Sequence, residues 1–171
     1  MTDRAKLAGL EGLRSDPGIS VPEIWDVRRT IELRTAELAA TSRTEEEAVE
    51  IAALAGALAG DSRDQEARSA LDMAFHAAIA RASHNSLFVQ IMTSFEPLLT
   101  VAVPAAWQTR TTENQQRIMI ERHLAIANAI VRQDPIAATM AMSAHFDAAI
   151  GDMLRATRLG ALRARRGEAV A

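Results

Sequence analysis

Apolar residues recur every three or four positions along most of this chain of 171 residues, which is the spacing of one face of an α-helix. Runs that alternate apolar and polar residues, as strands do, are few. Short polar breaks separate six helical segments and therefore predict an all-α antiparallel bundle. The predicted helices cover about 22–41, 45–60, 62–82, 86–103, 113–133 and a last stretch from 135 past Met153.

Local signals predict how some of these helices are bounded and oriented. Asp61 or Ser62 is expected to cap the third helix, because both residue types accept hydrogen bonds from free helical N–H groups. Pro97 predicts a kink in the fourth helix, and Pro104 predicts its end. The apolar stripe that is expected to be buried on the first helix consists of Ile24, Val27, Ile31 and Leu38.

Glycine placement excludes one class of binding site. None of the 8 glycines lies between residues 61 and 150. A P-loop or a G-x-G-x-x-G turn needs glycines where the backbone approaches a phosphate. The central half of the chain therefore holds no glycine-rich nucleotide cradle.

Charge and cysteine content exclude further kinds of function and binding site. The 19 basic and 22 acidic residues give a net charge of -3, whereas a free-standing nucleic-acid binder usually has a basic excess. There is no cysteine, which excludes disulfides and thiolate metal ligands. No signal peptide and no run of 18 uninterrupted apolar residues is found, so we expect a cytoplasmic protein without a transmembrane helix.

Histidines and one aspartate form the pattern with the most chemical content. Asp72 and His76 are four residues apart in the third predicted helix and therefore share one face. His123 lies 11 residues before Asp134 and His145 lies 11 residues after it. Asp134 and the proline that follows form a cap and first-turn pair, so the two histidines occupy matched heights on the arms of a helical hairpin.

If the third helix packs against this hairpin, one carboxylate and three imidazoles converge inside the bundle. Such a set suits a divalent transition metal such as Zn²⁺, Ni²⁺, Mn²⁺ or Fe²⁺, with positions left open for water or a ligand. The alternatives are hydrogen-bonded histidines in an ordinary core and an exposed ion pair between Asp72 and His76. His84, the fourth histidine, is interpreted as a turn residue without a metal role.

These residues also carry a family resemblance. The pattern Asp72-x-x-x-His76, followed by the segment 82–85 (Ala-Ser-His-Asn), His123 and His145, resembles the ligand-binding (FCD) domain of FadR-type GntR transcription regulators. Residues 23–40 are similar to the opening helix of that domain. The resemblance covers about residues 22–157.

The resemblance implies a bundle of six to seven helices around a central pocket, with effectors that are small organic acids. It implies that Arg28 on the first helix faces the carboxylate of the effector. Trp25 and Trp107 are expected to pack in the core rather than to line the pocket. The implied metal ligands are Asp72, His76, His123 and His145.

Three segments follow from this interpretation: a flexible leader over 1–21, the FCD-like domain over 22–157 and an Arg-rich tail over 158–171. Complete regulators of this type carry a winged helix-turn-helix before the FCD domain, and no such pattern is found in the leader. We therefore expect that this chain does not bind an operator by itself, whether it is a fragment, a shortened regulator or a stand-alone sensor.

The leading hypothesis is an effector-sensing domain rather than an enzyme. It would form a homodimer and modulate DNA binding by a winged helix-turn-helix that is not present in this chain. One alternative is a metal-dependent hydrolase or lyase. Its nearest general base would be Glu121, which is two residues from His123 and should point away from it. The other alternative is a metal-free helical interaction module, which scattered and exposed histidines would favour.

Overall fold

A computed structural model describes residues 20–60 and 64–165, and its regular elements within these ranges are six α-helices. This confirms the predicted all-α class. Side-chain caps satisfy free N–H groups where the chain enters several helices, with complete capping boxes at Ser20, Thr44 and Thr112. The helices are α1 (Val21–Ser42), α2 (Glu45–Ala59), α3 (Gln65–Ala82), α4 (Ser86–Gln108), α5 (Glu113–Val131) and α6 (Pro135–Arg165).

The long α6 organises the packing, because α1 and α5 both lie along it. Helix α2 packs between α3 and α5, and α3 also contacts α1. Helix α4 packs mainly on α3, at one side of the bundle. The core therefore lies where α1, α2, α3, α5 and α6 converge, and its largest fully buried apolar side chains include Phe75, Phe146, Ile51, Ile126 and Met142.

The buried face of α1 differs from the predicted apolar stripe. Val27 is 46% exposed, and Ile24, Ile31 and Leu38 are only partly buried. The helix instead buries a mixed face, which consists of Trp25, Arg28, Glu32, Thr35, Ala36, Ala39 and Ala40. The prediction was wrong because it counted apolar side chains only. A charged pair that finds partners inside the bundle can occupy buried positions.

Two predicted helix boundaries were also wrong. Asp64 caps α3, and its Oδ1 accepts hydrogen bonds from the backbone N–H groups of residues 66 and 67. The predicted caps, Asp61 and Ser62, lie outside the described residues. Pro104 does not end α4, which continues to Gln108.

Packing explains why α4 continues past Pro104. A proline inside a helix costs about 3 kcal/mol. The turn that follows buries Ala106 and Trp107, and the guanidinium of Arg110 donates to the carbonyl of Ala106. Arg68 and Arg110 both lie against the ring of Trp107, with Cζ 5.2 and 4.8 Å from its centroid. Tertiary contacts therefore outweigh the local preference.

Helix α4 is rich in apolar residues. By length and composition alone it is long and apolar enough to cross a membrane, although the sequence predicted no such helix. Only 22% of its most apolar stretch is buried inside the bundle. Its one charged residue is Glu96. Helix α4 therefore places more apolar surface on the outside of the bundle than a core helix does.

The ends of the chain are only partly covered by the described residues. Residues 1–19 of the predicted leader lie outside them. Ser20 is the cap of α1. In the predicted Arg-rich tail, residues 158–165 belong to α6, and residues 166–171 lie outside the described part of the chain.

Candidate metal centre

The predicted helical hairpin brings His123 and His145 together. Asp134 caps α6 by accepting a hydrogen bond from the backbone N–H of Ala137 at 2.9 Å. Helices α5 and α6 run side by side from this turn. The two imidazole centroids are 4.6 Å apart. The matched heights that were predicted from the sequence spacing are therefore confirmed.

Helix α3 adds the third imidazole. The ring centroid of His76 is 5.1 Å from that of His145 and 5.7 Å from that of His123. One nitrogen from each ring lies within 4.8 Å of the others. All three side chains are buried, at 2% exposure or less. Two ligand atoms that are each about 2.1 Å from one ion are at most about 4.2 Å apart. The separations of the three ring nitrogens are therefore close to those that a shared ion requires.

Asp72 lies against two of these three rings. Its Oδ1 is 3.0 Å from Nε2 of His123, and its Oδ2 is 4.0 Å from Nε2 of His76. Burial by itself raises the pKa of Asp72, but the hydrogen bond and charge of His123, the charge of His76 and that of Arg28 outweigh it. The pKa of Asp72 is therefore held far below its usual range, and the side chain is a carboxylate.

The hydrogen bonds of His123 show what the centre requires. Its Nδ1 donates to the backbone carbonyl of Met119 at 2.9 Å. In a neutral ring this leaves the lone pair of Nε2 facing the carboxylate of Asp72, so that two acceptors face each other. A positive charge has to lie between them, either a proton on the imidazole or a metal cation. A divalent cation fits this arrangement because both groups then act as its ligands.

Several other polar atoms at the centre have no hydrogen-bond partner. They are Oδ2 of Asp72, both ring nitrogens of His76, Nδ1 of His145 and Oε2 of Glu32, all buried. Leaving such an atom unsatisfied costs about 1–3 kcal/mol. Burial lowers the pKa of His145 well below its usual range, and the neighbouring His123 and His76 lower it further. His145 is therefore neutral, which is the protonation state of a metal ligand.

Aromatic side chains surround the imidazoles. Phe75 lies edge-on to His123 at 5.3 Å, and Phe146 lies edge-on to His145 at 5.2 Å. Trp107 stacks on His123 with its ring 14° from parallel. Such walls exclude water and strengthen electrostatic interactions at the centre. A cleft of about 380 Å³ between α3 and α4 has His76 on its wall.

Arg28 and Glu32 extend the centre along α1. Both are buried, and Nε of Arg28 donates to Oε1 of Glu32 at 2.6 Å. The other oxygen of Glu32 contacts Nδ1 of His76. Burial by itself raises the pKa of Glu32, but the charges of Arg28 and His76, together with the hydrogen bond from Arg28, hold it below the usual range. The outer edge of Arg28, its two terminal nitrogens, is buried without a partner and lies beside Trp25.

Sequence reasoning missed Glu32, although a signal was present. Arg28 and Glu32 are four residues apart, and they share the face of α1 that holds Trp25 and Ala36. It also missed Arg110, which is buried beside Asp152 with Nε 3.3 Å from Oδ2. Arg110 is near enough to Asp72 for their charges to interact, and no sequence pattern marks it.

Two other predicted residues lie away from the centre. His84 is exposed and its Nε2 contacts the carboxylate of Glu47 at 2.9 Å, as expected for a turn residue. Glu121 is exposed and pairs with Arg117 at 2.6 Å, so it points away from His123 as predicted.

Comparisons with known proteins show which family the chain and its fold resemble. Residues 23–148 match the family model of the FCD domain. The HTH-type transcriptional regulator LutR of Bacillus subtilis is 31% identical over 128 residues, which cover 73% of this chain. The Glc operon transcriptional activator of Escherichia coli is 33% identical over 129 residues, or 72% of this chain. The putative L-lactate dehydrogenase operon regulatory protein of Escherichia coli is 32% identical over 142 residues, or 78% of this chain.

The chain spans only part of these relatives, with 58% of LutR and 51% of each of the other two covered. A solved structure, Streptococcus agalactiae GntR, has a similar fold, with a TM-score of 0.60 at 22% sequence identity. That match covers 88% of this chain and 61% of the other. The described fold is thus one that a GntR protein also adopts.

Burial of His145 predicts that acid destabilises the metal-free protein. Its pKa is lowered in the folded state, whereas an unfolded histidine has a pKa of about 6.5. Below that pH His145 binds a proton in the unfolded chain but stays neutral in the folded protein, so protonation favours unfolding. Urea unfolding in the presence of a chelator should show a loss of stability between pH 7.5 and 5.5 that is about 1 kcal/mol smaller in His145→Gln than in the wild type. His84→Gln, which removes an exposed histidine, should retain the wild-type loss. Equal losses in His145→Gln and the wild type would contradict the assignment.

Proposed function

Because the chain belongs to the FCD domain family, we propose that it is the effector-sensing domain of a GntR-type transcription regulator. It binds a divalent transition metal through Asp72, His76, His123 and His145, and a small organic acid with the help of Arg28. The observation that carries this proposal is the buried cluster of three imidazoles beside an ionised carboxylate. The protein acts in the cytoplasm, and the domain covers residues 22–157.

DNA binding is proposed for a different part of such a regulator. The named relatives are transcription regulators, and this chain matches 51% to 58% of their length. The chain contributes the sensor, which modulates DNA binding by a winged helix-turn-helix. Occupation of the centre would change how α1, α3, α5 and α6 pack against each other, because each contributes a side chain to it or to the adjoining charged group.

An enzymatic role is less well supported by the same geometry. A hydrolase or lyase with a metal-activated water needs a free general base beside it. Glu121 is on the surface, and Glu32 is held between Arg28 and His76. The alternative of a metal-free helical interaction module is not favoured either, because His76, His123 and His145 are buried and clustered.

Arg28 supports the proposal of a carboxylate effector. Its terminal nitrogens are the two donors on the outer edge of the guanidinium, and both lie buried without a partner. A carboxylate matches this edge with two parallel hydrogen bonds, which lysine cannot form. One relative is named for an L-lactate dehydrogenase operon. L-lactate is therefore a suitable first probe, beside acetate and citrate.

Metal binding is tested by metal analysis and thermal unfolding of the purified chain. We expect one Zn²⁺ or Ni²⁺ per chain and a stabilisation of about 2.7 kcal/mol when the free metal is 100 times its Kd. His123→Ala and His145→Ala should lose both effects. His84→Ala is the matched control, because this histidine is exposed and lies away from the cluster. Unchanged metal content in His123→Ala and His145→Ala would show that the site assignment is wrong.

Effector binding is tested by calorimetric titration of the metal-loaded chain with acetate, L-lactate and citrate. The tightest of these acids should bind at least about tenfold more weakly to Arg28→Lys, which keeps the charge but loses the paired donors. Arg34→Lys is the control, because Arg34 lies on the same helix and pairs with Glu37 in an exposed position. An Arg28→Lys protein that binds the acid as tightly as the wild type would remove Arg28 from the site.

We also propose that the chain forms a homodimer, and that the face of α4 contributes to the interface. The support is the apolar composition of α4 and the exposure of its side chains, among them Leu87 at 62% and Val101 at 69%. Exposed apolar patches of this kind are typical of association surfaces.

Light scattering after gel filtration tests the dimer. The wild type should have twice the chain mass of 18.5 kDa. Val101→Glu should shift it toward the monomer, because a charge would be buried at the interface. Val49→Glu is closely matched, since Val49 is also 69% exposed but lies on α2, and it should remain dimeric. A Val101→Glu dimer would place the interface elsewhere, and a monomeric wild type would contradict the dimer itself.

A further inference from the structure

Glu32 joins two groups that the proposed function treats separately. Its Oε1 accepts from Nε of Arg28 at 2.6 Å, and its Oε2 contacts Nδ1 of His76. All three side chains are buried, at 0–1% exposure. One carboxylate therefore links the side chain proposed to hold an organic acid with a side chain proposed to hold a metal.

The position of Glu32 makes a mere packing role a poor explanation. It lies on the buried face of α1 between Trp25 and Ala36, where an apolar residue would pack without desolvating a charge. Oε1 is compensated there by Arg28, and Oε2 lies in contact with the imidazole of His76, although that contact lacks the alignment of a hydrogen bond. A carboxylate is an acceptor at both oxygens, and this is the property that the two partners use.

We propose that Glu32 is a positioning residue that couples the metal subsite to the organic-acid subsite. It holds His76 with the proton on Nδ1, so that the lone pair of Nε2 faces the imidazole cluster. It holds Arg28 by Nε, so that the two terminal nitrogens stay free for a carboxylate. This inference rests on the proposed function, because it concerns the same two subsites.

The coupling follows from the geometry. Hydrogen bonds to the far nitrogen of a ligating histidine fix its tautomer and the orientation of its ring. Glu32 cannot shift toward Arg28 without loosening its contact with His76, and the reverse also holds. Ordering of His76 therefore orders Arg28, and ordering of Arg28 orders His76. By linkage, a metal that favours the ordered state of His76 must strengthen acid binding at Arg28 by the same factor that the acid strengthens metal binding.

Glu32→Gln tests this directly. A carboxamide has one acceptor oxygen and one donor nitrogen. Its oxygen can therefore accept from His76 or from Arg28 but not from both. Glu37→Gln is the matched control, because Glu37 lies on the same helix and forms an exposed pair with Arg34 at 2.7 Å. Circular dichroism establishes that each variant is folded before any titration.

The first readout is the protonation of each ring nitrogen in the metal-free chain, from long-range proton–nitrogen correlation spectra of the histidines at pH 8. Nδ1 of His76 should carry a proton in the wild type and in Glu37→Gln. An unprotonated Nδ1 in the wild type overturns the proposal, whether or not the Glu32 variant folds. A pure change of fold stability would not move this signal.

The second readout is calorimetric titration with Zn²⁺ alone, and then with L-lactate in the presence and absence of Zn²⁺. Zn²⁺ affinity should fall about 10- to 100-fold in Glu32→Gln and remain unchanged in Glu37→Gln. The factor by which Zn²⁺ strengthens L-lactate binding should fall toward one in Glu32→Gln. Wild-type Zn²⁺ affinity and wild-type coupling in Glu32→Gln would overturn the proposal, because the two ligands would then communicate without Glu32. A wild-type chain that binds no Zn²⁺ would instead refute the proposed function, and the protonation of His76 would still decide whether Glu32 positions it.

Discussion

The need to compensate charge inside a helical core is the constraint on which the rest of this structure depends. Arg28, Glu32, Asp72 and three histidines are all buried at 4% exposure or less. Isolated charges in such a place are prohibitively costly, so each must find a partner. The bundle meets this requirement in part, through the pairs Arg28–Glu32 and Asp72–His123. Polar atoms on Arg28, Asp72 and the histidines remain without a hydrogen-bond partner, and these are the atoms that we propose to bind ligands.

The helical scaffold makes this arrangement precise. His123 on α5 and His145 on α6 lie at equal distances along the chain from the capped turn at Asp134. Helix α3 presents Asp72 and His76 one turn apart. Positions on packed helices vary less than positions on loops, and aromatic rings on several sides restrict the imidazoles further. The absence of glycine from residues 61–150 agrees with a rigid scaffold, because every proposed metal ligand lies on a helix in that range.

Sequence spacing predicted the parts of this structure that depend on local geometry. The hairpin symmetry about Asp134 placed His123 beside His145, and the four-residue interval placed Asp72 beside His76. Spacing could not show which face of α1 is buried, because Arg28 and Glu32 become acceptable in the core only once His76 is beside them. For the same reason, Pro104 was mistaken for a helix end, since the burial of Trp107 that outweighs it is a tertiary contact. Partners that are distant in sequence decided both cases.

We propose above all that a divalent cation occupies the space between α3, α5 and α6. Crystals grown with Zn²⁺ and measured on both sides of the zinc absorption edge test it most directly. We predict one anomalous peak per chain, in contact with one nitrogen from each of the three imidazoles and with an oxygen of Asp72. An empty centre, or zinc found only at the exposed pair of His84 and Glu47, would contradict the account.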